Sequence, residues 1–568
     1  MNLISVIATA WFLSSPECGA VKLPDGLSHV REAREDKGDL VVTHRFRNDS
    51  DHEIDLGEVR IFQPWNDNYP DAETCLTNRV HAHLFALGPH AWVEAVRMDG
   101  EEVRGFMLTR GELGGYAVEG RGRRQGSSNT RGILSLIPKE RRLRPGEITE
   151  LEGRYFPCAA RGDFKRELLA RGGTFLSADR YAGEVASSVT LRRETSSGVC
   201  EEKIALSLGS QTTADGIELL GLPPIEELLG ARARFILDHQ RVTDRESVLY
   251  GAFLPYDNET ERIYLNREEP IDRPDCNEGR ERIGMGVFLC RYALRYGDAT
   301  GEIARALKDY AAFLRTRLQD DDYVVYSSVS RHEPPRVYNY PWIATFYAEL
   351  AKLTGETRYH EDALQTMRAA YREEGGGSFY MIGAPVLELP ELKELFRQTA
   401  DTFLANGAKV PKFEVNYEQS IVAPAVDFLL QFYLLTREDK YLKGAKEMMR
   451  ALEAFNGRQP SWHLNDIAIR HWDGYWFGKR QIWGDTMPHY WSAITAAAFL
   501  HYAEATGDEL YRDRARAIFL QNLGSFTPDG RASCAWIYPN EVNGVPVKGL
   551  DPLANDQDWA LAFLLYSK

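Results

Sequence analysis

A short motif that recurs in the second half of the chain limits the fold more than any other feature. Its copies are Leu353–Tyr359, Leu435–Tyr441 and Ala505–Tyr511, with a looser copy at Tyr296–Asp298. Before each copy lies a strongly apolar segment, and after each lies a more charged one. Self-similarity of this kind indicates that one structural unit is repeated along the chain.

Each repeated unit is predicted to be a helical hairpin, because apolar residues recur every three or four positions in both of its segments. The first helix is apolar nearly all round, as in Ile421–Leu435, and the second is amphipathic, as in Leu442–Phe455. In the motif between them, Gly ends the first helix and an acidic residue starts the second. The copies lie 58 to 82 residues apart, so long loops join the hairpins, and such loops commonly carry binding and catalysis.

The first part of the chain has a different period. Short β-branched and aromatic runs such as Leu40–Phe46 are separated by Gly, Asp and Pro, and Asp99-Gly100 between two runs is a hairpin signal. Several short strands at near-regular spacing predict an antiparallel β-sandwich. We therefore predict a β-sandwich over residues 23–221, followed by a toroid of helical hairpins over residues 222–568.

The extreme N-terminus predicts export from the cell. Leu3–Leu13 is an apolar run of signal-peptide length, and Cys18-Gly19-Ala20 offers small residues at the cleavage positions. We predict a signal peptide over residues 1–22 and a secreted or periplasmic protein, the alternative being a buried first strand in a cytoplasmic one. The run is too short to cross a bilayer, and no membrane span is predicted elsewhere.

Charge and cysteine spacing exclude several partners. The formal net charge of -15 argues against a nucleic-acid partner. The seven cysteines form no CxxC pair or metal-ligand spacing, which argues against a disulfide framework and a structural zinc site. His81 and His83 face one side of a predicted strand, but two histidines alone do not make a metal site. We predict no metal ion and no cofactor.

A β-sandwich followed by helical hairpins with long, aromatic-rich loops resembles the six-hairpin, or (α/α)6-toroid, superfamily. Trp472–Lys479 and Trp483–Trp491 look like an active-site loop of such a toroid. The superfamily holds many glycoside hydrolases and several polysaccharide lyases. The resemblance implies a mainly α chain with an all-β N-terminal domain, acting on a carbohydrate substrate. We predict five inner helices, with Pro390–Asn406 belonging to the remaining hairpin.

The predicted site lies where the inner helices begin, because the N-terminal ends of helices that line a ring converge on one mouth. Proline in the first turn of two of these helices supports the assigned boundaries. The residues brought together there are Asn339, Tyr340, Glu418, Asp485, His489, Tyr490, Asp556 and Asp558.

Glycoside hydrolysis needs one carboxylic acid to protonate the leaving oxygen and a second carboxylate as base or nucleophile. Asp485 and Glu418 are the predicted pair, with Asp556 and Asp558 in reserve. An acidic residue at a helix start is more often a cap than a catalyst, which is the competing interpretation of all four.

Aromatic and basic residues around the mouth are predicted to bind the sugar. The tryptophans and tyrosine would give flat apolar platforms, and the two cations would neutralise a uronate carboxylate. The predicted substrate-binding residues are Asn339, Trp342, Trp472, Tyr475, Trp476, Lys479, Arg480, Trp483 and Trp491.

The favoured function is a glycoside hydrolase that cleaves oligosaccharides or polysaccharides, including those with uronic acids. One alternative is a polysaccharide lyase, in which Tyr340, Tyr490, His489 and Asn339 perform β-elimination on uronides. A second alternative is a non-catalytic carbohydrate-binding protein of the same shape. The oligomeric state is not predicted.

Overall fold

The computed structural model of the chain describes residues 21–68, 80–97, 103–119, 130–264, 277–331, 335–373, 379–380, 383–408, 419–468, 478–479 and 490–566. The strands of the first part, β1 to β19, are Val21–Lys22, Leu27–Asp36, Asp39–Asn48, Ile54–Asp55, Arg60–Asn68, Val80–Phe85, Leu87–Gly88, Trp92–Arg97, Val103–Arg110, Leu113–Glu119, Thr130–Pro138, Arg142–Leu143, Ile148–Cys158, Phe175–Ala178, Ala182–Glu184, Ser188–Thr195, Gly198–Ala205, Gly209–Thr212 and Glu218–Leu222. The later strands, β20 to β26, are Tyr256–Asp257, Arg262–Ile263, Trp536–Ile537, Glu541–Val542, Val545–Pro546, Gly549–Leu550 and Leu553–Ala554.

The described α-helices are numbered α1 to α12. They are Phe164–Ala170, Ile225–Phe235, Ile283–Tyr296, Glu302–Phe313, Asn339–Thr354, Thr357–Glu373, Lys393–Asn406, Gln419–Thr436, Asp439–Ala454, Tyr490–Thr506, Glu509–Asn522 and Asp558–Tyr566. Apart from the short α1, every one of them follows residue 224, where the predicted change of period falls.

Two antiparallel sheets form the N-terminal sandwich. One has the order β2-β3-β13-β9-β8-β6, and the other contains β1-β5-β11-β10. Their inner faces meet, because the Trp65 ring lies 6.1 Å from that of Phe106 and the Tyr155 hydroxyl donates to Gln63 at 3.1 Å. The predicted β8–β9 hairpin is present, although its turn residues Asp99 and Gly100 lie outside the described residues. The predicted sandwich is confirmed.

The helices form a ring with an inner and an outer layer. The inner helices are α3, α5, α8, α10 and α12, and the outer ones are α2, α4, α6, α7, α9 and α11. In α8 every residue from Gln419 to Phe432 is buried, whereas in α9 only one face is. Neighbouring inner helices touch closely, since a Cβ added to Gly284 of α3 would lie 2.7 Å from the Trp559 ring of α12. The predicted toroid is confirmed.

The sixth inner position is irregular. The predicted helix at Pro390–Asn406 is present as a 3₁₀ turn and α7, but it packs outside α8, with the Phe396 ring 5.9 Å from that of Phe428. Gly383, Ala384, Pro385 and Glu388 line the axial cavity here instead, beside residues of α5 and α8. Gly383, with φ of 70°, and Pro385 prevent these residues from continuing a helix.

The turns of the repeated motif share one hydrogen bond. In each, a threonine hydroxyl accepts from the amide of the acidic residue two positions later, at 3.2 to 3.4 Å: Thr354 from Glu356, Thr436 from Glu438 and Thr506 from Asp508. The residue between them has a left-handed backbone, with φ of 71° at Gly355 and 76° at Gly507. Arg437 takes the same conformation in the middle copy, where no glycine stands.

A hairpin from the helical half completes a sheet of the sandwich. Strands β23 and β24, which precede α12, join the edge of β10, and β23 runs parallel to it with Ala117 opposite Glu541. The Glu541 carboxylate pairs with the guanidinium of Arg60 on β5. The two halves therefore share a continuous sheet.

Within the described part of the chain, α8 alone has the length and apolar composition of a membrane span, and most of it is buried among the other helices.

Candidate functional site

The inner helices begin close together at one end of the ring. The Arg282 guanidinium, just before α3, donates to Asn555 before α12, and the Trp342 ring of α5 lies 6.1 Å from that of Trp559 on α12. On the other side of the ring, the Gln419 amide at the start of α8 donates to the Trp491 carbonyl at 2.6 Å. These contacts define the mouth that the sequence predicted.

The β-sandwich packs against this same end of the ring. His83 Nε2 lies 3.0 Å from the Ala454 carbonyl, and the His81 ring lies 4.3 Å from that of Phe455. Arg161 donates to the carbonyls of Glu453 and Asn456. These carbonyls lie at or directly after the C-terminal end of α9, which is antiparallel to α8 and so ends beside its start. The two histidines noted in the sequence thus contribute to the contact between the domains.

An axial cavity of about 70 Å³ runs inward from the mouth. Trp342, Tyr490 and Trp559 line it where the inner helices begin. An aromatic lining of this type suits the apolar faces of sugar rings. Two of the predicted site residues, Trp342 and Tyr490, therefore line the same cavity.

Tyr340 and Asn339 face away from the cavity, although they stand at the predicted end of α5. Tyr340 precedes Trp342 by two residues, which turns it about 200° around the helix. It is buried beside residues 320–326, and burial raises the pKa of Tyr340 to about 12. The Asn339 amide is fully buried and donates to the Ser327 hydroxyl at 3.1 Å. Both side chains belong to the packing between α5 and the outer layer.

Asp558 is held in a buried ion pair. Its two carboxylate oxygens accept from Arg232 Nε and Nη2, both at 2.7 Å, and both side chains are essentially inaccessible to solvent. The pair joins the first helix of the ring, α2, to the last, α12. This arrangement gives Asp558 a structural role, and the reserve catalytic role stays a prediction from the sequence. Asp556, two residues earlier, is also buried.

Lys479 is held by carboxylates of the protein. Its ammonium lies 2.6 Å from Asp257 Oδ2 and 3.0 Å from Glu259 Oε2, and its amide donates to Asp551. Burial opposes the charge, but the two carboxylates raise the pKa of Lys479 above its usual value. A lysine compensated in this way is poorly placed for the predicted role of neutralising a uronate.

Trp491 is buried at the start of α10, with its ring 6.0 Å from that of Tyr490. The other predicted site residues lie outside the described residues. They are Glu418, Trp472, Tyr475, Trp476, Arg480, Trp483, Asp485 and His489. Their roles remain predictions from the sequence.

A buried network that the sequence did not indicate lies beside the mouth. The Glu218 carboxylate of β19 accepts from the Ser461 hydroxyl at 2.5 Å and the Tyr538 hydroxyl at 3.0 Å, with His463 Nδ1 at 3.4 Å. Burial alone would raise the pKa of Glu218, but His463, Lys548 and Ser461 lower it. Burial lowers the pKa of His463. Glu218 thereby joins the segment of Ser461 to the segment of Tyr538, and both lie far from it in the sequence. No local sequence pattern therefore predicts the contact.

The β-sandwich packs against the mouth of a six-hairpin toroid, and aromatic residues line the toroid axis. This arrangement defines the class of protein as a carbohydrate-active enzyme. A solved polysaccharide lyase, BACCELL_00875, is 37% identical to this chain, with a TM-score of 0.91 over 96% of this chain and 88% of that one. The chain belongs to the family of this lyase.

Two other solved structures share less with the chain. A family 76 glycoside hydrolase from a bovine Bacteroides thetaiotaomicron strain is 10% identical, with a TM-score of 0.38 over 86% of this chain and 98% of that one. An unsaturated glucuronyl hydrolase specific for heparin is 13% identical, with a TM-score of 0.38 over 60% and 95%. These similarities are too low to bear on the chemistry. No protein-family profile and no curated protein sequence matches the chain.

Proposed function

We propose that the chain is a polysaccharide lyase that cleaves glycans at uronic acid residues by β-elimination. The observation that carries the proposal is the 37% identity to a polysaccharide lyase, with a TM-score of 0.91, along nearly the whole chain. The glycoside hydrolase favoured by the sequence becomes the alternative.

The elimination needs two proton transfers and one neutralised charge. A base removes the proton from C5 of the uronate, the C–H electron pair forms the C4–C5 double bond, the C4–O4 bond breaks, and an acid protonates the departing O4. A cation or amide at the carboxylate stabilises the negative charge that develops there.

Tyr490 and His489 are the residues to which we assign the proton transfers. Tyr490 lines the cavity together with Trp342 and Trp559, and His489 precedes it directly in the sequence. Arg480 is the cation we assign to the uronate carboxylate, because Lys479 is already held by Asp257 and Glu259.

The experiment measures whether oxygen from water is incorporated into the products. The protein is incubated with a panel of uronic acid glycans, and with neutral glycans as a control, in water enriched in heavy oxygen. A lyase gives products whose masses sum to that of the substrate, no heavy oxygen, and ultraviolet absorbance from the new conjugated double bond. New reducing ends that carry heavy oxygen, without that absorbance, would establish hydrolysis and overturn the proposal.

Two substitutions at predicted acids sharpen the same assay. Asp485→Asn and Glu418→Gln remove the paired carboxylates that a hydrolase requires. A lyase that uses Tyr490 and His489 keeps its activity within about tenfold in both variants, whereas a hydrolase loses about a hundredfold or more.

A further inference from the structure

A groove on the outer wall of the ring lies at the end opposite the mouth. Ile225, the first residue of α2, and the face of α11 from Arg512 to Leu520 flank it. Arg232, two turns after Ile225, pairs with Asp558 at the mouth end of α12, so α2 begins at the end away from the mouth. The deep end of the axial cavity lies inside the ring at this same end and is lined by Arg291, Glu388, Asp427 and His501.

The groove occupies the seam where the ring closes, between the last outer helix, α11, and the first, α2. Nearer the mouth the loop after α11 fills this seam, because Gly530 lies so close to the Ala231 carbonyl that an added Cβ would overlap it. Further from the mouth the groove has a volume of about 300 Å³. Binding sites for small molecules begin at about this size, and the volume equals that of about ten water molecules in the liquid.

Most of the groove is apolar. It is lined by Leu500 of α10, Leu564 of α12, Ile225 of α2, and Ala515, Phe519 and Leu520 of α11. Ile225 and Leu520 are half-buried, and the other four are buried. The only polar side chains that line it in the described part of the chain are two arginines. A sugar needs both donors and acceptors for its hydroxyls, so the groove does not suit a sugar.

The two arginines, Arg512 and Arg516, lie one turn apart on α11. Arg516 is exposed, and its side chain forms no hydrogen bond or ion pair with another described residue. Arg512 donates to Glu509 at 2.9 Å through Nε, which leaves its two terminal nitrogens as donors. The acidic residues on the flanking elements are absent from the lining; they are Glu184, Glu226, Glu227, Glu509 and Asp513. The groove therefore offers donors at one side of an apolar surface.

We propose that the groove binds a small amphiphilic acid, whose apolar body lies against Leu500, Phe519 and Leu564 and whose carboxylate accepts from Arg516. Removal of the apolar body from water supplies most of the affinity. The exposed arginine selects for negative charge, because an ion pair in contact with water is weak. The ligand contacts both α2 and α11, and it lies at the opposite end of the ring from the reaction proposed at the mouth.

A titration of the unmodified protein with octanoate tests the site. Octanoate has ten heavy atoms, which matches the volume of the groove, and it is used below the concentration at which it forms micelles. Label at its carboxyl carbon reports binding by nuclear magnetic resonance. Octan-1-ol and octylammonium have the same chain with no charge and with a positive charge, and their affinities follow from displacement of octanoate.

The expected result is one octanoate per chain, bound more than tenfold more tightly than octylammonium, with octan-1-ol between the two. An exposed ion pair is worth up to about fivefold in affinity, and reversal of the charge replaces this attraction with a repulsion of similar size. No binding of octanoate, binding at many equivalent sites, or equal affinities for the three compounds would overturn the proposal.

Arg516→Gln and Arg305→Gln form a matched pair of variants. Each arginine is exposed on an outer helix and has no ion pair with another described residue, but only Arg516 lines the groove. We expect Arg516→Gln to weaken octanoate binding about fivefold and to leave octan-1-ol binding unchanged, and Arg305→Gln to change neither. Equal losses in both variants would contradict the proposal. The comparison of the three compounds on the unmodified protein remains decisive if either variant fails to fold.

A second copy of the chain is the competing occupant of the groove. Sedimentation velocity over a range of protein concentrations distinguishes it from a small acid. A dimer that octanoate dissociates would show that the groove is an interface between copies, and it would overturn the proposal. A sedimentation coefficient that octanoate leaves unchanged, together with octanoate binding, supports the small-molecule site.

Discussion

The mouth and the deep end of the axial cavity are built by the same inner helices from different residues. At the mouth, Trp342, Tyr490 and Trp559 present aromatic surface. At the deep end, Arg291 and Asp427 are fixed by ion pairs and hydrogen bonds. Helix N-termini carry unpaired amides and a partial positive charge, which favour a polar ligand there. The ring can therefore place reactive groups at one end while fixed charges stabilise the other.

Two buried histidines, His463 in a packed contact and His501 on the cavity lining, also differ in their surroundings. Beside His463, Glu218 also accepts from the hydroxyls of Ser461 and Tyr538, so the imidazole is one of several groups that stabilise its charge. Asp427 receives one further hydrogen bond, from the neutral amide of Gln431, so a proton on His501 does more to stabilise its charge. The pKa is lowered for His463 and raised for His501. Burial lowers the pKa of both histidines; beside His463 it outweighs the effect of Glu218, whereas beside His501 the effect of Asp427 outweighs it.

The largest expected effect is at the mouth. Tyr490→Phe removes the hydroxyl assigned to proton transfer, so kcat on a uronic acid glycan should fall by about a hundredfold to ten-thousandfold. The free energy of unfolding should change by no more than about 1 kcal/mol. Steady-state kinetics and urea unfolding measure the two quantities. Wild-type kcat in this variant would remove Tyr490 from the reaction.

The second largest effect, a loss of stability, is expected at the ion pair that joins α2 to α12. Asp558→Asn leaves Arg232 buried without its bidentate partner, which should destabilise the fold by about 3–5 kcal/mol. Activity per folded molecule should be unchanged, because neither Asp558 nor Arg232 is among the described residues that line the cavity. Urea unfolding and kinetics normalised to the folded fraction check this. A folded variant with a hundredfold lower kcat would restore the catalytic role predicted from the sequence.

The two histidines should give opposite dependences of stability on pH. For His501, whose pKa is raised above 6.5, the stabilisation is present below pH 6.5 and is lost as pH rises through the folded pKa. For His463, whose pKa is lowered, stability is present above pH 6.5 and is lost as pH falls below it. A difference of one pH unit between the folded and unfolded pKa corresponds to about 1.4 kcal/mol of unfolding free energy.

Unfolding free energies of His501→Gln and His463→Gln, measured by urea titration across this range of pH, test the pair. Relative to the unmodified protein, the first variant should lose the decline on the alkaline side and the second the decline on the acid side. If the unfolding free energies of both variants changed with pH in the same way, the surroundings of His501 and His463 would not shift their pKa values in opposite directions.

The smallest effect is expected from Tyr340→Phe. Its hydroxyl is buried on the side of α5 that faces the outer layer, so its removal should alter stability by about 1 kcal/mol or less. Activity should stay within about threefold of the unmodified protein, in contrast to Tyr490→Phe. A large loss of kcat without loss of stability would place Tyr340 at the mouth after all.

The repeated turns and the apolar inner helices were predictable because their signals are local. The Thr-Gly-acid motif ends one helix and starts the next through contacts within a few residues, as at Thr354 and Glu356. Helices that are apolar all round can only be buried, which fixed the inner layer. The hairpin of β8 and β9 was equally local.

The orientation of the site residues was not predictable in this way. The sequence placed Tyr340 and Asp558 at helix starts, but which face meets the cavity depends on neighbours far away in the chain. Asp558 pairs with a residue 326 positions earlier, and Glu218 bonds to a residue 243 positions later. The irregular sixth inner position had a local signal, since Gly383 and Pro385 oppose a helix there.

The shared sheet has a consequence for the order in which the protein can mature during synthesis. β10 leaves the ribosome more than 400 residues before β23, the strand that covers its edge at Ala117 and Val118. An uncovered edge strand is a template for pairing with another chain. The nascent N-terminal half therefore carries an unprotected edge through most of translation, and chaperones that shield such edges should act on it until the C-terminal region emerges.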